Sequence, residues 1–351
     1  MRIKRSIILP LCVTVLATLA GYTVRSRFIT PKGTVQAESV PGHLAGVRLI
    51  PFTLPHEYDG YGFSSVALVD GGDIWAVGYN GHDPRRICHY KNDQDEWEVV
   101  TIPSPGFVLQ DISFPDPQNG WAVGGYGTVM HTSDGGKSWE QLARPTTANL
   151  TSLAFVSDKV GYIGGSTGLF DKVHYTDTYG VVIMRTTDGG LSWVTSYEDS
   201  ESERVGQIAA LSDNIAIAFS DRVLRTEDGG NTWQPISIRE ASRISFNAEG
   251  IGYGVSMNGG FYRSFDKGKT WETMVDLPKS LRKTRWWSID FADEIHGMAI
   301  GEGGAVAVTS DDGKTWSEVK TGIQENLMKV RLHGRSGLVL GSQKVYRVAG
   351  L

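Results

Sequence analysis

Five aspartates occur in nearly identical surroundings along the chain, each five residues before a tryptophan. Carboxylates can act as general acids, bases or nucleophiles, and glycoside cleavage uses two of them on either side of one bond. In the copy TSDGGKSW (132–139), however, Asp134 lies between residues that favour tight turns. Its carboxylate could accept hydrogen bonds from turn amides and the Ser138 hydroxyl, and Gly136 could supply a positive φ. The bulky Trp139 would pack beneath the turn. We therefore interpret the whole set as structural and not catalytic: Asp134, Trp139, Asp188, Trp193, Asp228, Trp233, Asp266, Trp271, Asp311 and Trp316.

Other residue types that could do chemistry lack the context they need. Ser166 lies in GGSTG (164–168), but a nucleophile elbow requires a helix after the serine, and no helical pattern follows. The eight histidines show no metal-ligand spacing, and His131 lies in a strand that leads into a turn motif. The acidic stretch NDQDE (92–96) could hold calcium, although a degenerate copy of the turn motif explains it better. The sequence therefore predicts no catalytic residue, no metal site and no cofactor.

The turn motif is one part of a longer repeat. Its good copies end at Trp139, Trp193, Trp233, Trp271 and Trp316, and a degenerate copy ends at Trp97, so successive tryptophans are 42, 54, 40, 38 and 45 residues apart. Before each motif come three short apolar segments, as in DISFP (111–115), GWAVG (120–124) and TVMHT (128–132), and a fourth follows the tryptophan. Four short strands joined by tight turns form one blade, and units of 40–50 residues predict a β-propeller.

The number of units predicts seven blades of four antiparallel strands over residues 43–351. A first strand can be recognised seven times, from SVALV (65–69) to KVRLH (329–333). The seventh unit lacks a fourth strand, whereas VRLIPFTLP (47–55) is a surplus strand at the other end. Pairing between the N-terminal strand and the last blade would close the ring and remove an exposed sheet edge.

The amino terminus predicts export. Arg2, Lys4 and Arg5 precede an apolar run over residues 7–24. This pattern is typical of a signal peptide, and the run is near the lower length limit for a membrane span. Residues 1–37 are therefore interpreted as a signal peptide or a membrane anchor with its linker, and the sequence leaves both open. We expect a periplasmic, lumenal or cell-surface protein, anchored by residues 7–24 if the segment is retained.

Charge and cysteine content limit the classes of partner. Residues 1–37 hold six of the 34 Lys and Arg and none of the 39 Asp and Glu, which leaves a formal charge of −11 on the remainder. A domain with this charge is a poor candidate for binding nucleic acid through its overall field. Cys88 is the only cysteine besides Cys12, so the exported part can form no internal disulfide.

The turn motif resembles the Asp-box, or bacterial neuraminidase repeat, of the form Ser/Thr-x-Asp-x-Gly-x-Thr/Ser-Trp. The longer pattern NGWAVGGYGTVMHTSDGGKSW (119–139) is similar to the photosystem II stability and assembly factor family. That resemblance covers nearly all of 43–351 and implies a seven-bladed propeller without catalytic activity, which holds an immature membrane subunit through an arginine-rich surface. The chain departs from the family in two ways: it lacks the lipoprotein cysteine of cyanobacterial members and any compact arginine cluster in sequence. The resemblance therefore implies the fold more firmly than the client.

An alternative is an extracytoplasmic propeller that binds or cleaves glycans, because sialidases share the Asp-box. A resemblance to sialidases implies an arginine in the motif Arg-Ile-Pro before the first Asp-box. Here Arg48 is separated from Pro51 by two residues, so strand alternation would aim it differently. The same segment is also needed to close the ring.

A binding surface is predicted on the end of the propeller that carries second-to-third-strand loops and blade-to-blade connections. Loops on a rigid scaffold often carry binding residues, and Arg and Trp are frequent at interface hot spots. The stretches that depart from the repeat there are YNGHDPRR (79–86), an enlarged loop over 166–180, and KSLRKTRWW (279–287). Each has an ordinary interpretation too, as a solvated loop, an insertion without function, or tryptophans that cover the channel end. We predict a monomer that binds a protein client, such as a membrane-protein subunit, through Arg85, Arg86, His174, Tyr175, Lys279, Arg282, Lys283, Arg285, Trp286 and Trp287.

Overall fold

The computed structural model describes residues 46–54, 62–69, 72–79, 86–103, 107–167, 180–202, 204–238, 241–274, 277–334 and 336–351. Within these ranges the chain forms seven four-stranded antiparallel sheets. Each sheet takes its strands in chain order, except the last, in which the N-terminal strand is the outermost. The predicted seven-bladed β-propeller is confirmed.

The strands are short and apolar, as the repeats predict. In blades 1 to 3 they are β2 (Gly62–Leu68), β3 (Ile74–Tyr79), β4 (Arg86–Lys91), β5 (Glu96–Thr101); β6 (Leu109–Ser113), β7 (Gly120–Gly124), β8 (Val129–Thr132), β9 (Glu140–Gln141); β10 (Asn149–Phe155), β11 (Gly161–Ser166), β12 (Val181–Thr186) and β13 (Val194–Asp199). In blades 4 and 5 they are β14 (Gln207–Ala210), β15 (Ala216–Phe219), β16 (Val223–Thr226), β17 (Gln234–Pro235); β18 (Ala241–Phe246), β19 (Gly252–Ser256), β20 (Phe261–Ser264) and β21 (Glu272–Thr273). In blades 6 and 7 they are β22 (Trp286–Phe291), β23 (Gly297–Gly301), β24 (Val306–Thr309), β25 (Ser317–Glu318); β26 (Leu327–His333), β27 (Ser336–Gly341), β28 (Val345–Ala349) and β1 (Arg48–Pro51). Single 3-10 turns follow β7 and β23, at Gly125–Gly127 and Glu302–Gly304.

The ring closes in the last blade, as the surplus N-terminal strand predicts. β1 pairs antiparallel with β28, with Arg48 opposite Ala349 and Pro51 opposite Tyr346. Across the junction to blade 1, Arg347 Nη2 lies 2.9 Å from Asp95 Oδ1, and the Tyr90 hydroxyl donates to the same oxygen at 2.5 Å. The acidic turn around Asp95 is therefore used in closure, which supports a structural interpretation of the stretch 92–96.

Each Asp-box forms a corner between the third and fourth strands. Asp134 Oδ1 accepts hydrogen bonds from Thr132 Oγ1 and the Ser138 amide at 2.8 and 2.9 Å, while Oδ2 accepts from Ser138 Oγ at 2.6 Å. Gly135 and Gly136 have φ of 71° and 84°, the left-handed region that favours glycine. The hydroxyl and amide of Ser138 and the Thr132 hydroxyl lower the pKa of Asp134 to about 2, although partial burial opposes this. Asp188, Asp228, Asp266 and Asp311 accept the equivalent hydrogen bonds in their own corners.

The core lies between neighbouring blades, where large aromatic rings interlock. Trp121 is completely buried, and its ring stacks on Phe155 of the next blade with centroids 3.8 Å apart. Its indole Nε1 donates to the Gly189 carbonyl of the next corner at 2.9 Å. Trp316 lies against Phe261 of the preceding blade and is 4% exposed. The corners are thus fixed to the core by their own tryptophans and by the adjacent blade.

Candidate functional site: the connection face and the axial channel

The antiparallel sheets divide the loops between two ends of the propeller. First-to-second turns and Asp-box corners lie at one end, which we call the corner face. Second-to-third turns and the connections between blades lie at the other end, which we call the connection face. The predicted binding residues whose side chains the structure describes belong to one segment on the connection face: Lys279, Arg282, Lys283, Arg285, Trp286 and Trp287.

The segment Lys279–Trp287, named here the basic segment, connects blades 5 and 6. Its cationic residues Lys279, Arg282, Lys283 and Arg285 are all exposed, whereas Leu281 is 2% exposed and packs in the core. Arg282 Nε donates to the Leu277 carbonyl at 2.9 Å, which fixes the turn. The segment therefore presents four positive side chains from a backbone that is anchored to the blade.

One predicted contact residue is misplaced. Trp286 is completely buried among core residues of blades 5 and 6, with its ring edge-on to Phe261 at 5.3 Å. Its Nε1 donates to the Leu281 carbonyl at 3.3 Å. Because this side chain cannot reach a partner, its assignment to the binding surface is wrong: the alternation of β22 turns it inward. Trp287 is half-buried.

The other predicted contact residues cannot be placed. Arg85, His174, Tyr175, most of the enlarged loop 166–180 and the side chain of Arg86 lie outside the described residues. Their assignment stays a prediction.

The connection face also carries exposed apolar side chains that the sequence did not single out. Tyr126, in the second-to-third turn of blade 2, is 46% exposed and has a φ of 55°. Its ring stacks on Phe107 with centroids 4.7 Å apart, and the Arg144 guanidinium lies 5.4 Å from the centre of the Phe107 ring. In blade 5, Met257 is 49% exposed, and its sulfur lies 3.8 Å from Arg285 Nη2. An exposed apolar side chain therefore lies near an arginine at two places on this face.

A second charged region, which sequence reasoning missed, lies on the propeller axis. The first strands of the blades contact one another in a ring and surround the axial channel. Six of them bulge at the same place, and the residue after the bulge is Ser65, Asp111, Ser152, Arg243, Ser288 or Lys329. The sequence signal was a polar residue at the third or fourth position of six of the seven first strands, and a bulge cannot be read from periodicity.

Three of these residues form one ionic group. Lys329 Nζ lies 3.0 Å from Asp111 Oδ1 and 2.5 Å from Ser65 Oγ, and Ser65 donates to Asp111 at 2.5 Å. Burial opposes ionisation of Asp111, but the Lys329 ammonium and the Ser65 hydroxyl still hold its pKa below the ordinary value. Burial, together with Arg331 and Arg243, lowers the pKa of Lys329 to about 8 against the attraction of Asp111.

Three arginines lie near this group, but the ion pair with Asp111 is made by Lys329. Arg243 and Arg331 donate through Nη1 to the carbonyls of Ser242 and Val330, each at 3.1 Å, and Arg204 precedes β14. Burial lowers the pKa of Arg243 and the charges on Arg331 and Arg204 add to this effect, whereas the attraction of Asp111 opposes it. No described carboxylate forms an ion pair with these three guanidinium groups. We call Arg204, Arg243 and Arg331 the axial arginines.

Several other polar side chains of the first strands join neighbouring blades. Ser152 Oγ accepts from the Ile208 amide at 2.9 Å, and Gln207 Oε1 accepts from the Ile244 amide at 3.0 Å. Asp290, the other carboxylate on these strands, accepts from Ser245 Oγ at 2.5 Å and the Leu332 amide at 2.9 Å. Both axial carboxylates are therefore held by hydrogen bonds within the scaffold.

The geometry bears on two alternative chemistries. Arg48 lies in the outermost strand of blade 7 and cannot reach the axis, where a sialidase would need its arginine. Among the described residues, no group of three or more His, Cys, Asp or Glu side chains could hold a metal ion.

The helices in the described part of the chain include none long and apolar enough to span a membrane. The segment 1–37, predicted to be a signal peptide or membrane anchor, lies outside the described residues.

Comparison with known sequences gives consistent relatives. Residues 55–174 match the sequence profile of the family described as photosynthesis system II assembly factor YCF48. The photosystem II assembly lipoprotein Ycf48 of Synechococcus sp. (strain CC9902) is 26% identical over 236 residues, which cover 63% of this chain and 65% of that protein. The photosystem II assembly protein Ycf48 of Thermosynechococcus vestitus is 28% identical over 276 residues, 72% of this chain and 73% of that protein. The chain thus spans slightly less than two thirds of the first of these relatives.

Comparison with solved structures gives the same fold. A structure of YCF48 bound to D1 peptide has a TM-score of 0.66 and 19% identity over 86% of this chain and 96% of that one. Enzymes share the architecture too: virginiamycin B lyase from Staphylococcus aureus has a TM-score of 0.64 and 12% identity over 86% of this chain and 98% of that one. The resemblance to the photosystem II stability and assembly factor family, predicted from the Asp-boxes, is confirmed.

Proposed function

We propose that this protein is a non-catalytic scaffold that binds a client protein on its connection face and assists the assembly of a membrane complex. The relatives named above are assembly proteins, and one solved neighbour is a YCF48 protein bound to a D1 peptide. The client of this chain would be a membrane-protein subunit held before its complex is complete.

The observation that carries this proposal is the basic segment. Its four cationic side chains stand out from a domain whose formal charge is −11 beyond residue 37. Leu281 and Trp286 fix its backbone in the core, so little order is lost when a partner binds. Beside it, the exposed Met257 adds apolar area. Such a surface fits an acidic client segment that also carries apolar side chains.

The absence of catalysis is part of the proposal. The two carboxylates on the first strands, Asp111 and Asp290, have their oxygens occupied by hydrogen bonds within the scaffold. Arg48 lies at the rim. The likeness to lyases concerns the fold, which hosts many unrelated activities.

The location of the protein is also proposed. Residues 7–24 would direct export and, if retained, tether the propeller to the membrane, so the connection face could meet a subunit at the membrane surface. Relatives named lipoproteins are consistent with a tethered, extracytoplasmic scaffold. We propose that it works as a monomer.

A charge-reversal experiment tests the surface. Crosslinking and affinity capture from membranes would compare the wild type with the double variant Arg282→Glu plus Arg285→Glu. The matched control is Lys137→Glu plus Lys314→Glu, which makes the same charge change at exposed positions in two Asp-box corners. We expect the control to retain the wild-type client and the connection-face variant to lose it.

Two outcomes would contradict the proposed surface. If the connection-face variant captures the same membrane subunit with the same yield as the wild type, the basic segment is not the binding surface. If the corner-face control loses the client instead, the binding surface lies on the other end of the propeller.

A further inference from the structure

The axial channel contains more positive than negative charge. The first strands contribute Arg243, Lys329 and Arg331 against Asp111 and Asp290, and Arg204 adds a cation just before β14. Asp111 is paired with Lys329 at 3.0 Å, and Asp290 is held by Ser245 and the Leu332 amide. Asp111 also attracts Arg243, but none of the three axial arginines forms an ion pair with a carboxylate that the structure describes.

The order of residues along the first strands shows how deep in the channel each cationic residue lies. These strands begin at the connection face, so Arg204, which precedes its strand, lies at that mouth. Arg243 occupies the position after the bulge, at the same level as Lys329 and Asp111, and Arg331 lies two residues further in. Arg243 Nη1 lies beside Gly206, 3.5 Å from the site of a Cβ there, so its guanidinium is close to the entrance of blade 4. The cations therefore form a column that leads inward from the connection face.

These guanidinium groups are placed at an energetic cost. Arg243 and Arg331 are only partly exposed, and each donates to a carbonyl of its own strand, which leaves most of its five donors for other acceptors. Like charges in a confined region raise one another's energy, and partly buried charges are costly without a counter-charge. An anion between them would relieve both costs.

We propose that the connection-face end of the axial channel is a binding site for a compact oxyanion, a carboxylate or phosphate group, held by Arg243 and Arg331 with Arg204 at the entrance. Guanidinium forks match the paired oxygens of both groups. Lys329 is already engaged by Asp111 and Ser65, so it contributes mainly positive potential. The oxyanion can come from free solute or from a protein side chain or chain terminus that enters the mouth. This site does not depend on the client-binding proposal, because it uses different residues.

Calorimetric titration and thermal unfolding would test the site with three probes: inorganic phosphate, succinate, and a short acidic peptide with a free or an amidated carboxyl terminus. All titrations use the full propeller at constant ionic strength set with chloride. We expect saturable binding to the wild type, and at least a tenfold weaker affinity for Arg243→Gln and for Arg331→Gln. Arg331→Lys should be intermediate, since it keeps the charge but loses the fork. Binding of phosphate and succinate alone would identify free solute as the source, and selective binding of the free-acid peptide would identify a chain terminus.

Two controls keep the outcome interpretable. Phosphate stabilises most proteins non-specifically, and that effect rises without saturation and should persist in the glutamine variants. The variant Arg282→Glu plus Arg285→Glu should bind the anions within about threefold of the wild type, which separates this site from the client surface. The proposal is overturned if no probe binds saturably, or if Arg243→Gln and Arg331→Gln bind as the wild type does. It is also overturned if both are folded but less stable than the wild type without anion, because the arginines would then serve the fold.

Discussion

Charged side chains in the Asp-box corners find their partners locally, whereas those on the axis find theirs across the ring or not at all. Asp188 accepts hydrogen bonds from Thr186 and Ser192, which are two and four residues away. Asp111 accepts from Ser65 and Lys329, which are 46 and 218 residues away. The carboxylates of the corners are therefore satisfied within their own turns, while the axial charges exist as a group only when the ring is closed. Four predictions test this difference.

The largest effect is expected where a corner is tied to the core. Trp316 is 4% exposed, packs against Phe261 and Phe291, and donates to the Gly313 carbonyl at 3.1 Å. Trp316→Ala should lower the free energy of unfolding by about 3–5 kcal/mol, because a large cavity remains. Urea unfolding followed by circular dichroism measures this loss. Trp316→Phe should lose clearly less, and equal losses for the two variants would contradict a packing role.

Removal of the Asp111 carboxylate should lower the free energy of unfolding, and a second substitution at Lys329 should restore part of the loss. Asp111→Asn leaves Lys329 and the axial arginines without their nearby negative charge, so we expect a loss of about 3 kcal/mol. Adding Lys329→Met should recover a substantial part of it, because one unpaired cation disappears. A double-mutant cycle from urea unfolding gives the coupling energy. Additive effects of the two substitutions would show that the charges do not act as a group.

Acid should weaken the corners. The folded-state pKa of Asp134 is lowered to about 2 from an ordinary value of 3.8, so its contribution is present above pH 4 and is lost as the pH falls towards 2. Asp134→Asn should be less stable than the wild type at pH 6 by about 1 kcal/mol, a value reduced for solvent exposure. The difference in the free energy of unfolding between the wild type and Asp134→Asn should become smaller as the pH falls from 4 to 2. A gap that stays constant across this range in thermal unfolding would show that ionisation of Asp134 does not matter.

A rise in pH should stabilise the axial group, whereas a fall in pH should weaken the corners. The folded-state pKa of Lys329 is lowered to about 8 from 10.5, so between these values the unfolded chain binds more protons than the folded one. Stability of the wild type relative to Lys329→Met should therefore rise as the pH increases from 8 to 10. We expect a rise of about 1 kcal/mol over this range; the folded-state pKa of about 8 already includes the attraction of Asp111. A relative stability that falls over this range would mean that the ion pair outweighs the cost of burying the ammonium group.

Much of the fold was predictable because its determinants are local. The Asp-box repeats and the strand segments between them predicted seven blades, and the surplus strand around Arg48 predicted how the ring closes. Both predictions are confirmed. The position of Trp286 was predicted wrongly, because whether a residue at the start of a strand faces solvent depends on the neighbouring blade. The axial arginines were missed altogether.

The sequence by itself determined the hydrogen bonds of the box aspartates, since each carboxylate accepts from residues two and four positions away, and chain proximity ensures that they meet. Only the tertiary structure decided the axial group. Arg204, Arg243 and Arg331 come from three different blades and lie near one channel because the closed ring brings the first strands together. Interactions between residues so far apart in the chain have no local pattern, because their distance is fixed by ring closure and not by sequence separation.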